Sequence, residues 1–190
     1  MAVLKDIGDS LKALLQNNIT ELKPVNSIVF DSPADIEPTG NPMLSIFLYQ
    51  IVENGNLRNT PSETIDTDKM RYPPLILDLY FIFTPYAKVK ETELIIIEKL
   101  MQVLYDNSVL RGDMLKGGIK GTGNDEIRIV PNNLTFEDIN KLWESFPNKP
   151  FKLSASYILS PVRIPSGKPI AIIKRVIEKN IDVYRKEFQV

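Results

Sequence analysis

The clearest pattern in this chain is the large apolar side chain at every second position of residues 75–83, within the run 73–83. A period of two places alternate residues on one face of a strand, and side chains this large need a deep hydrophobic layer to cover them. The apolar face consists of Leu75, Leu77, Leu79, Phe81 and Phe83. The other face carries Asp78, so we expect partial cover there and a pairing arginine, with Arg58, Arg71 and Arg163 as candidates. The pattern predicts a core strand bounded by prolines.

Seven further segments have the periodicity of helices or strands. A spacing of 3.6 residues predicts helices over Val3–Leu15 and Lys90–Asn107. A third helix, Phe136–Phe146, begins with a capping box formed by Thr135 and Asp138. Strands are predicted over Val25–Phe30, Met43–Val52, Glu126–Val130 and Phe151–Ser160. Their order predicts an α+β fold with a mixed, largely antiparallel sheet flanked by helices.

Three segments lack such a pattern. The polar stretch Glu53–Tyr72 is long for a connection in a compact domain, and connections of that length are usually functional. The stretch Arg111–Asp125 is glycine-rich and predicts a loop or hairpin, and Pro161–Gly167 predicts a turn. The tail, Ile170–Val190, fits a helix somewhat better than a strand, and its type stays open.

Composition excludes more function classes than any motif establishes. The chain has 190 residues, a net charge of -1, no cysteine and no histidine. These absences exclude disulfides, thiol nucleophiles, serine-histidine triads and zinc sites of the usual kind. The balanced charge gives no overall field that would attract nucleic acid or an anionic membrane. The beginning of the chain has no signal-peptide pattern, and no apolar run approaches the ~20 residues of a membrane span, so we expect a cytosolic protein.

Several weak motifs favour ordinary explanations. Gly117–Gly123 lacks the Gly-Lys-Ser/Thr ending of a phosphate loop, and Pro169 follows Ser166–Lys168 where a helix would have to begin. The aromatic residues Tyr105, Trp143 and Tyr157 are interpreted as core residues rather than a ligand surface. The alternative to a structural role is a small-ligand or divalent-metal module in the cytosol, which would use the carboxylates of Asp66, Asp68 and Asp125.

Five segments in this order resemble the N-terminal domain of one family, the cap or tube-terminator proteins of extracellular contractile injection systems. These are phage-tail-like particles such as the antifeeding prophage and the virulence cassettes. The segments are Leu44–Asn54 with Arg58–Asn59 behind it, Pro73–Phe83, Leu100–Asp106, Leu142–Trp143 and Ser156–Ile164. Each alone is weak, but their order and spacing are more specific.

The resemblance implies a tail-terminator-like domain over residues 1–165 and a tail or arm, residues 166–190, that packs on the same domain or on a neighbouring subunit. It also implies a hexameric ring that ends the inner tube, contacts the last sheath ring, and needs no catalytic residue, cofactor or metal. We expect the subunit and tube contacts on Glu53–Tyr72, on Gly117–Gly123 and on the tail after Pro165. The candidate interface residues are Glu53, Asn54, Arg58, Asn59 and Arg163, because arginine's fixed fork of donors suits such contacts.

Overall fold

The structure is a computed structural model that describes residues 2–66 and 68–172. The chain divides into two compact units. Of the described residues, the first contains those up to Asn59 and Pro74–Pro165, and the second contains those of Thr60–Pro73 and those from Ser166 to Ile172. The helices are α1 (Val3–Asn18), α2 (Lys90–Asp106) and α3 (Phe136–Glu144). The strands are β1 (Ile28–Val29), β2 (Met43–Glu53), β3 (Glu63–Asp66), β4 (Lys69–Arg71), β5 (Leu75–Tyr86), β6 (Val109–Arg111), β7 (Glu126–Pro131), β8 (Ala155–Ile164) and β9 (Ala171–Ile172).

The first unit is built on a six-stranded sheet with the order β1-β2-β5-β8-β7-β6. Only the pairing of β1 with β2 is parallel, and every other pair is antiparallel. The predicted α+β class and the mixed, largely antiparallel sheet are therefore confirmed. So are the three predicted helices, each shifted by at most a few residues at its ends.

The strand predicted over residues 73–83 is β5, which lies between β2 and β8 in the centre of the sheet. Its predicted inward residues from Leu77 onward are almost fully buried, whereas Leu75, at the start of the strand, is 45% exposed. The strand continues through Pro85 to Tyr86, beyond its predicted end. Its pairing with β8 ends at Phe83, so the last residues pair with β2 alone. A proline without a backbone N–H is tolerated where one side of the strand has no partner.

Helices α1 and α2 cover one face of this sheet. Ile7, Leu11 and Leu15 of α1 are fully buried and join the same core as Leu79 and Phe83 of β5. This spacing of buried positions is the apolar stripe of an amphipathic helix. We refer to this side of the sheet as its helical face and to the opposite side as its outer face.

Helix α3 covers part of the outer face. Its capping box forms as predicted, with Thr135 accepting the backbone N–H of Asp138 and the Asp138 carboxylate accepting that of Thr135. Trp143 is buried and packs edge-on against Phe146, which in turn contacts Phe47 of β2 with ring centroids 6.0 Å apart. Among the described residues no helix covers the outer face near β7, and Val130 there is 46% exposed.

The predicted boundaries of β8 were wrong at both ends. The strand begins at Ala155 rather than Phe151, and Phe151 and Leu153 are about half exposed instead of facing the core. It then continues to Ile164 through the segment that was predicted to turn. The register with β5 shifts between Leu77 and Leu79, so that two residues of β8 oppose one of β5. Such a bulge accommodates Pro161 inside a paired strand.

The second unit corrects the interpretation of Glu53–Tyr72 as a connection without structure. Within it, β3 and β4 form an antiparallel pair, and β4 also pairs with β9 to complete a three-stranded sheet. The Lys168 ammonium lies 4.9 Å from the centre of the Tyr72 ring in this unit. The division into residues 1–165 and a tail stays a prediction, and the open question of helix or strand in the tail falls on residues 173–190, outside the described residues.

Candidate functional site

Three of the predicted interface residues lie together where β2 ends. Glu53 is the last residue of the strand, and residues 55–59 form the turn that follows it. The Arg58 guanidinium reaches back to the Glu53 carboxylate at 3.3 Å, with side-chain exposures of 69% and 44%. Asn59, also exposed, ends the turn. An ion pair this exposed contributes little to stability, so both charged groups are available to a partner.

The turn is fixed to the sheet through Asn54 and Asp78. The amide nitrogen of Asn54 donates to both carboxylate oxygens of Asp78, at 3.0 and 3.2 Å, and its amide oxygen accepts the N–H of Leu57. The hydroxyl of Ser160 on β8 also donates to Asp78. The expected arginine partner of Asp78 was therefore wrong: an amide and a hydroxyl satisfy this half-buried carboxylate. Hydrogen bonds to a carboxylate are stronger than those between neutral groups, so this cluster holds the turn in place.

Arg163 lies on the other side of β5 and holds the glycine-rich segment. The buried Asn124 pairs with both backbone groups of Arg163, at 2.7 Å each, and the Arg163 guanidinium donates to the carbonyl of Gly123 at 3.0 Å. Arg163 was named as a candidate from the sequence, but a role for Asn124, which is fully buried, was not predicted. A short amide that satisfies the backbone of a neighbouring strand has no recognisable sequence pattern.

The two groups belong to the same end of the sheet. The N–H of Asn54 donates to the carbonyl of Ile76 at 2.9 Å, and Ile76 is the register partner of Arg163. Neighbouring strands are about 4.8 Å apart, so the backbones of Asn54 and Arg163 are separated by two such spacings, about 10 Å. The structure therefore brings the predicted interface residues into one row across β2, β5 and β8. We call this row, Glu53, Asn54, Arg58, Asn59 and Arg163, the sheet-end surface.

Nothing in the described part of the chain forms a metal centre. No group of three or more acidic residues there is placed to hold a metal ion. None of the helices in the described ranges combines the length and the apolar character that crossing a membrane requires.

The glycine-rich segment packs against α1, where Gly118 N–H donates to the Asp6 carboxylate and Lys116 N–H donates to the Ser10 hydroxyl.

One buried carboxylate lies at the opposite end of the sheet. Glu93 accepts the ammonium groups of Lys152 at 2.7 Å and Lys90 at 3.0 Å, and the backbone N–H of Ala87 at 3.1 Å. Burial alone would raise the pKa of this carboxyl, but the two lysines and the N–H outweigh it and lower the pKa. Burial and the negative charge of Glu93 raise the pKa of Tyr86 to about 12. The Glu93 carboxylate and both lysines are paired with one another, which is typical of a structural cluster.

The outward side of α2 was missed by the sequence reading. Leu94, Met101 and Tyr105 are apolar residues at helical spacing, yet they are 55%, 51% and 84% exposed, so the interpretation of Tyr105 as a core residue was wrong. The buried stripe instead contains Ile96, Ile97, Leu100 and Leu104. The helix carries apolar residues on more than one side, and periodicity alone cannot then choose the side that faces the core. Trp143 and Tyr157 are buried, as predicted.

No curated protein matches this sequence. Two solved structures share its fold. The PVC sheath/tube terminator of an extracellular contractile injection system, determined by cryo-EM in the extended state, superimposes with a TM-score of 0.62 at 21% identity. The cryo-EM structure of the anti-feeding prophage cap, a tube-terminating cap, gives a TM-score of 0.66 at 15% identity.

The chain aligns over 94% and 93% of its own length but covers only 64% and 60% of those two proteins. The Pvc16 N-terminal domain model matches residues 6–177, nearly the whole chain. The matched range includes all five segments on which the resemblance to tube terminators was based. This chain therefore belongs to the Pvc16 N-terminal domain family.

Proposed function

We propose that this chain is a structural cap of a phage-tail-like contractile injection particle, where it forms a ring that ends the inner tube and contacts the last sheath ring. The observation that carries the proposal is the family match over residues 6–177. The fold shared with two tube terminators over more than nine-tenths of the chain supports it. The ring is a homohexamer, and the finished particle, not the free cytosol, is where the protein acts.

The proposed role needs surfaces and no catalytic group. The chain lacks cysteine and histidine, and the polar clusters at both ends of the sheet consist of mutually satisfied groups. Perturbed and unsatisfied groups in a cleft would indicate an active site, and paired ones indicate structure. We therefore propose that the protein is not an enzyme and uses no cofactor.

We assign the sheet-end surface to contacts with a neighbouring subunit or with the tube. Arg58 is more than two-thirds exposed and pairs with the exposed carboxylate of Glu53, so its guanidinium can exchange partners at little cost. Arg163 presents its guanidinium beside the glycine-rich segment and fixes that segment at the same end of the sheet. Closed rings need one such surface to meet a different surface of the next copy.

Two measurements test the proposal. Light scattering after size exclusion should give a mass near six times 21.6 kDa for the assembled chain. Inner tube protein of the same system should form shorter tubes, with one end blocked, when it polymerises in the presence of this chain. Labelled chain should then be seen by electron microscopy at one tube end only. Tubes of unchanged length with no bound chain would contradict the cap.

Sheath contact is tested separately. Sheath protein added to capped tubes should stop at the capped end, and sheath that extends past the labelled cap would contradict that part of the proposal. Titration of the chain with Mg²⁺ and Ca²⁺ in a calorimeter should show no stoichiometric binding. Saturable binding of either ion would favour the ligand-binding alternative instead.

A further inference from the structure

The side of α2 that faces away from the sheet carries exposed apolar residues, whereas that side of a surface helix is typically polar. Leu94 is 55% exposed, Ile95 42%, Met101 51% and Tyr105 84%. Leu94, Met101 and Tyr105 lie on one side of the helix, with Glu98 between Leu94 and Met101. We call Leu94, Ile95, Met101, Tyr105 and Glu98 the α2 surface. An exposed apolar stripe of this kind marks an interaction site more often than it occurs by chance.

Glu98 adds a negative charge to this surface, which a binding partner has to neutralise. It lies one turn from both Leu94 and Met101, within the stripe, and its side chain makes no hydrogen bond or ion pair with any described residue. Glu91 and Asp106 are exposed near the two ends of the helix and are also without such partners in the described ranges. A partner must therefore offer apolar area with a cation inside it. The surface of an anionic membrane offers the wrong charge.

The outer face of the same unit offers what the α2 surface lacks. Val130 of β7 is 46% exposed and is the register partner of Ile158, which is half-buried. Arg128 is exposed two residues away, and its register partners are Val109 and Ser160, neither of them acidic. Its side chain makes no ion pair within the described ranges. We call Val109, Arg128, Val130 and Ile158 the β7 surface.

Next to the β7 surface the charge is balanced. Arg111 and Glu126 are register partners on the same face and together contribute no net charge. Arg128 therefore contributes a positive charge that neither of its register partners offsets. The two surfaces belong to opposite faces of one sheet, because α2 packs on the helical face whereas Val130 points away from it.

We propose that the α2 surface of one copy packs against the β7 surface of the next copy, with Glu98 facing Arg128. The inference rests on the proposed ring and names the surfaces that build it. A two-fold contact through α2 would bring two Glu98 carboxylates into the same interface, whereas a contact between two different surfaces repeats head to tail and gives a ring when the rotation between copies closes. Electrostatic complementarity of this kind selects the register of a contact as well as strengthening it.

Charge reversal tests the pairing. Glu98→Arg alone and Arg128→Glu alone each place like charges at every contact, and each should raise the concentration at which half of the chains assemble by roughly tenfold or more. The double variant, Glu98→Arg with Arg128→Glu, should restore assembly. An equimolar mixture of the two single variants should assemble as well, because alternating copies meet with opposite charges. Single variants that assemble like the parent chain would overturn the proposal, as would a double variant that stays impaired.

A second test does not depend on ring closure or on the tube. The chain has no cysteine, so Met101→Cys and Val130→Cys chains each carry one thiol. Mixed at high concentration under mild oxidation, they should form the mixed disulfide in preference to either like pair. An Asn56→Cys chain, whose thiol lies in the exposed turn after β2 and outside both surfaces, is the control. If the parent chain forms rings but no mixed disulfide appears, this inference fails and the cap stands. If the mixed disulfide forms but tubes are not blocked, the contact stands and the cap fails.

Discussion

At the scale of single residues, the most constrained group is Glu93. It is 8% exposed and is the one charged residue classed as buried among the described ranges. A carboxylate removed from water is stable only when it is paired and hydrogen-bonded, and Lys90, Lys152 and the N–H of Ala87 provide this. The cluster joins α2 to the segment that leads into β8. Its loss should therefore affect the fold rather than a partner contact.

Glu93→Ala should lower the free energy of unfolding by about 2 to 4 kcal/mol, because it leaves the largely buried Lys152 ammonium without its partner. Glu91→Ala is the matched control, since Glu91 is exposed on the same helix and should change stability by less than about 0.5 kcal/mol. Urea unfolding followed by circular dichroism measures both. Equal effects of the two substitutions would contradict the assigned role.

The lowered pKa of Glu93 predicts how this contribution depends on pH. A carboxyl whose pKa is lower in the folded chain than in the unfolded chain stabilises the fold above the unfolded value, about 4.3. The stabilisation is lost as the pH falls through the folded value. The stability difference between the parent chain and Glu93→Ala should therefore be constant near neutral pH and shrink below about pH 4. A difference that grows on acidification would show the opposite shift.

Asn54 is the second residue whose loss has a specific consequence. Asn54→Ala removes two hydrogen bonds to Asp78 and the one from Leu57, and should cost about 1.5 to 3 kcal/mol. Asn56→Ala in the same turn is the control, because the Asn56 side chain has no partner among the described residues and the change should be nearly neutral. Thermal unfolding compares the two. If Asn56→Ala proved as costly as Asn54→Ala, the Asp78 cluster would not be what fixes the turn.

At the scale of elements, the glycine-rich segment is held by α1. Its backbone donates to the side chains of Asp6 and Ser10, and Ile119 within it is fully buried. Gly117 adopts a positive φ of 66° beside Asp6, so a side chain there would meet the carboxylate. The segment predicted as a loop or hairpin is thus packed on a helix, which fixes its surface for contact with a partner.

Gly117→Ala should destabilise the chain by about 2 to 3 kcal/mol, from the positive φ and from the lost Asp6 hydrogen bond. An added Cβ would lie 2.3 Å from the Asp6 carboxyl carbon. Gly121→Ala is the control, because its φ is 81° but the space around it is open, so it should cost only about 1 to 2 kcal/mol. Chemical denaturation resolves the difference. Identical costs would mean that the contact with Asp6 contributes nothing.

The elements also show what sequence reasoning can reach. The alternation in β5 and the capping box at Thr135 are local patterns, and the structure confirms both. The end of β8 could not be found locally, because Pro161 is accommodated by a bulge whose existence depends on the partner strand. Tyr105 was misplaced for a related reason: which side of an apolar helix faces the core is decided by the sheet beneath it. The candidate interface residues were named individually, but only the fold shows that they form one row.

At the scale of the whole molecule, the two ends of the first unit's sheet differ in their polar groups. The Glu93 cluster is internally paired, whereas the sheet-end surface carries the exposed Arg58 guanidinium and the half-buried Arg163. A cap must present one side to the tube and keep other sides from attracting further subunits. This difference between the two ends of the sheet fits that requirement. It places the proposed contact at the end that carries Arg58 and Arg163.

The last prediction therefore concerns assembly. Arg58→Ala and Arg163→Ala should each weaken ring formation or tube binding, and together they should reduce tube blocking by about tenfold or more, because arginine is among the residues that dominate interface energies. Lys23→Ala is the control, since Lys23 is an exposed cation near the start of β2, away from the sheet-end surface. Thermal unfolding of all four proteins separates assembly from folding, since Arg163 also holds Gly123. If the double variant blocks tubes as the parent chain does while Lys23→Ala is equally neutral, the sheet-end surface is not the contact, and the α2 and β7 surfaces must carry assembly without it.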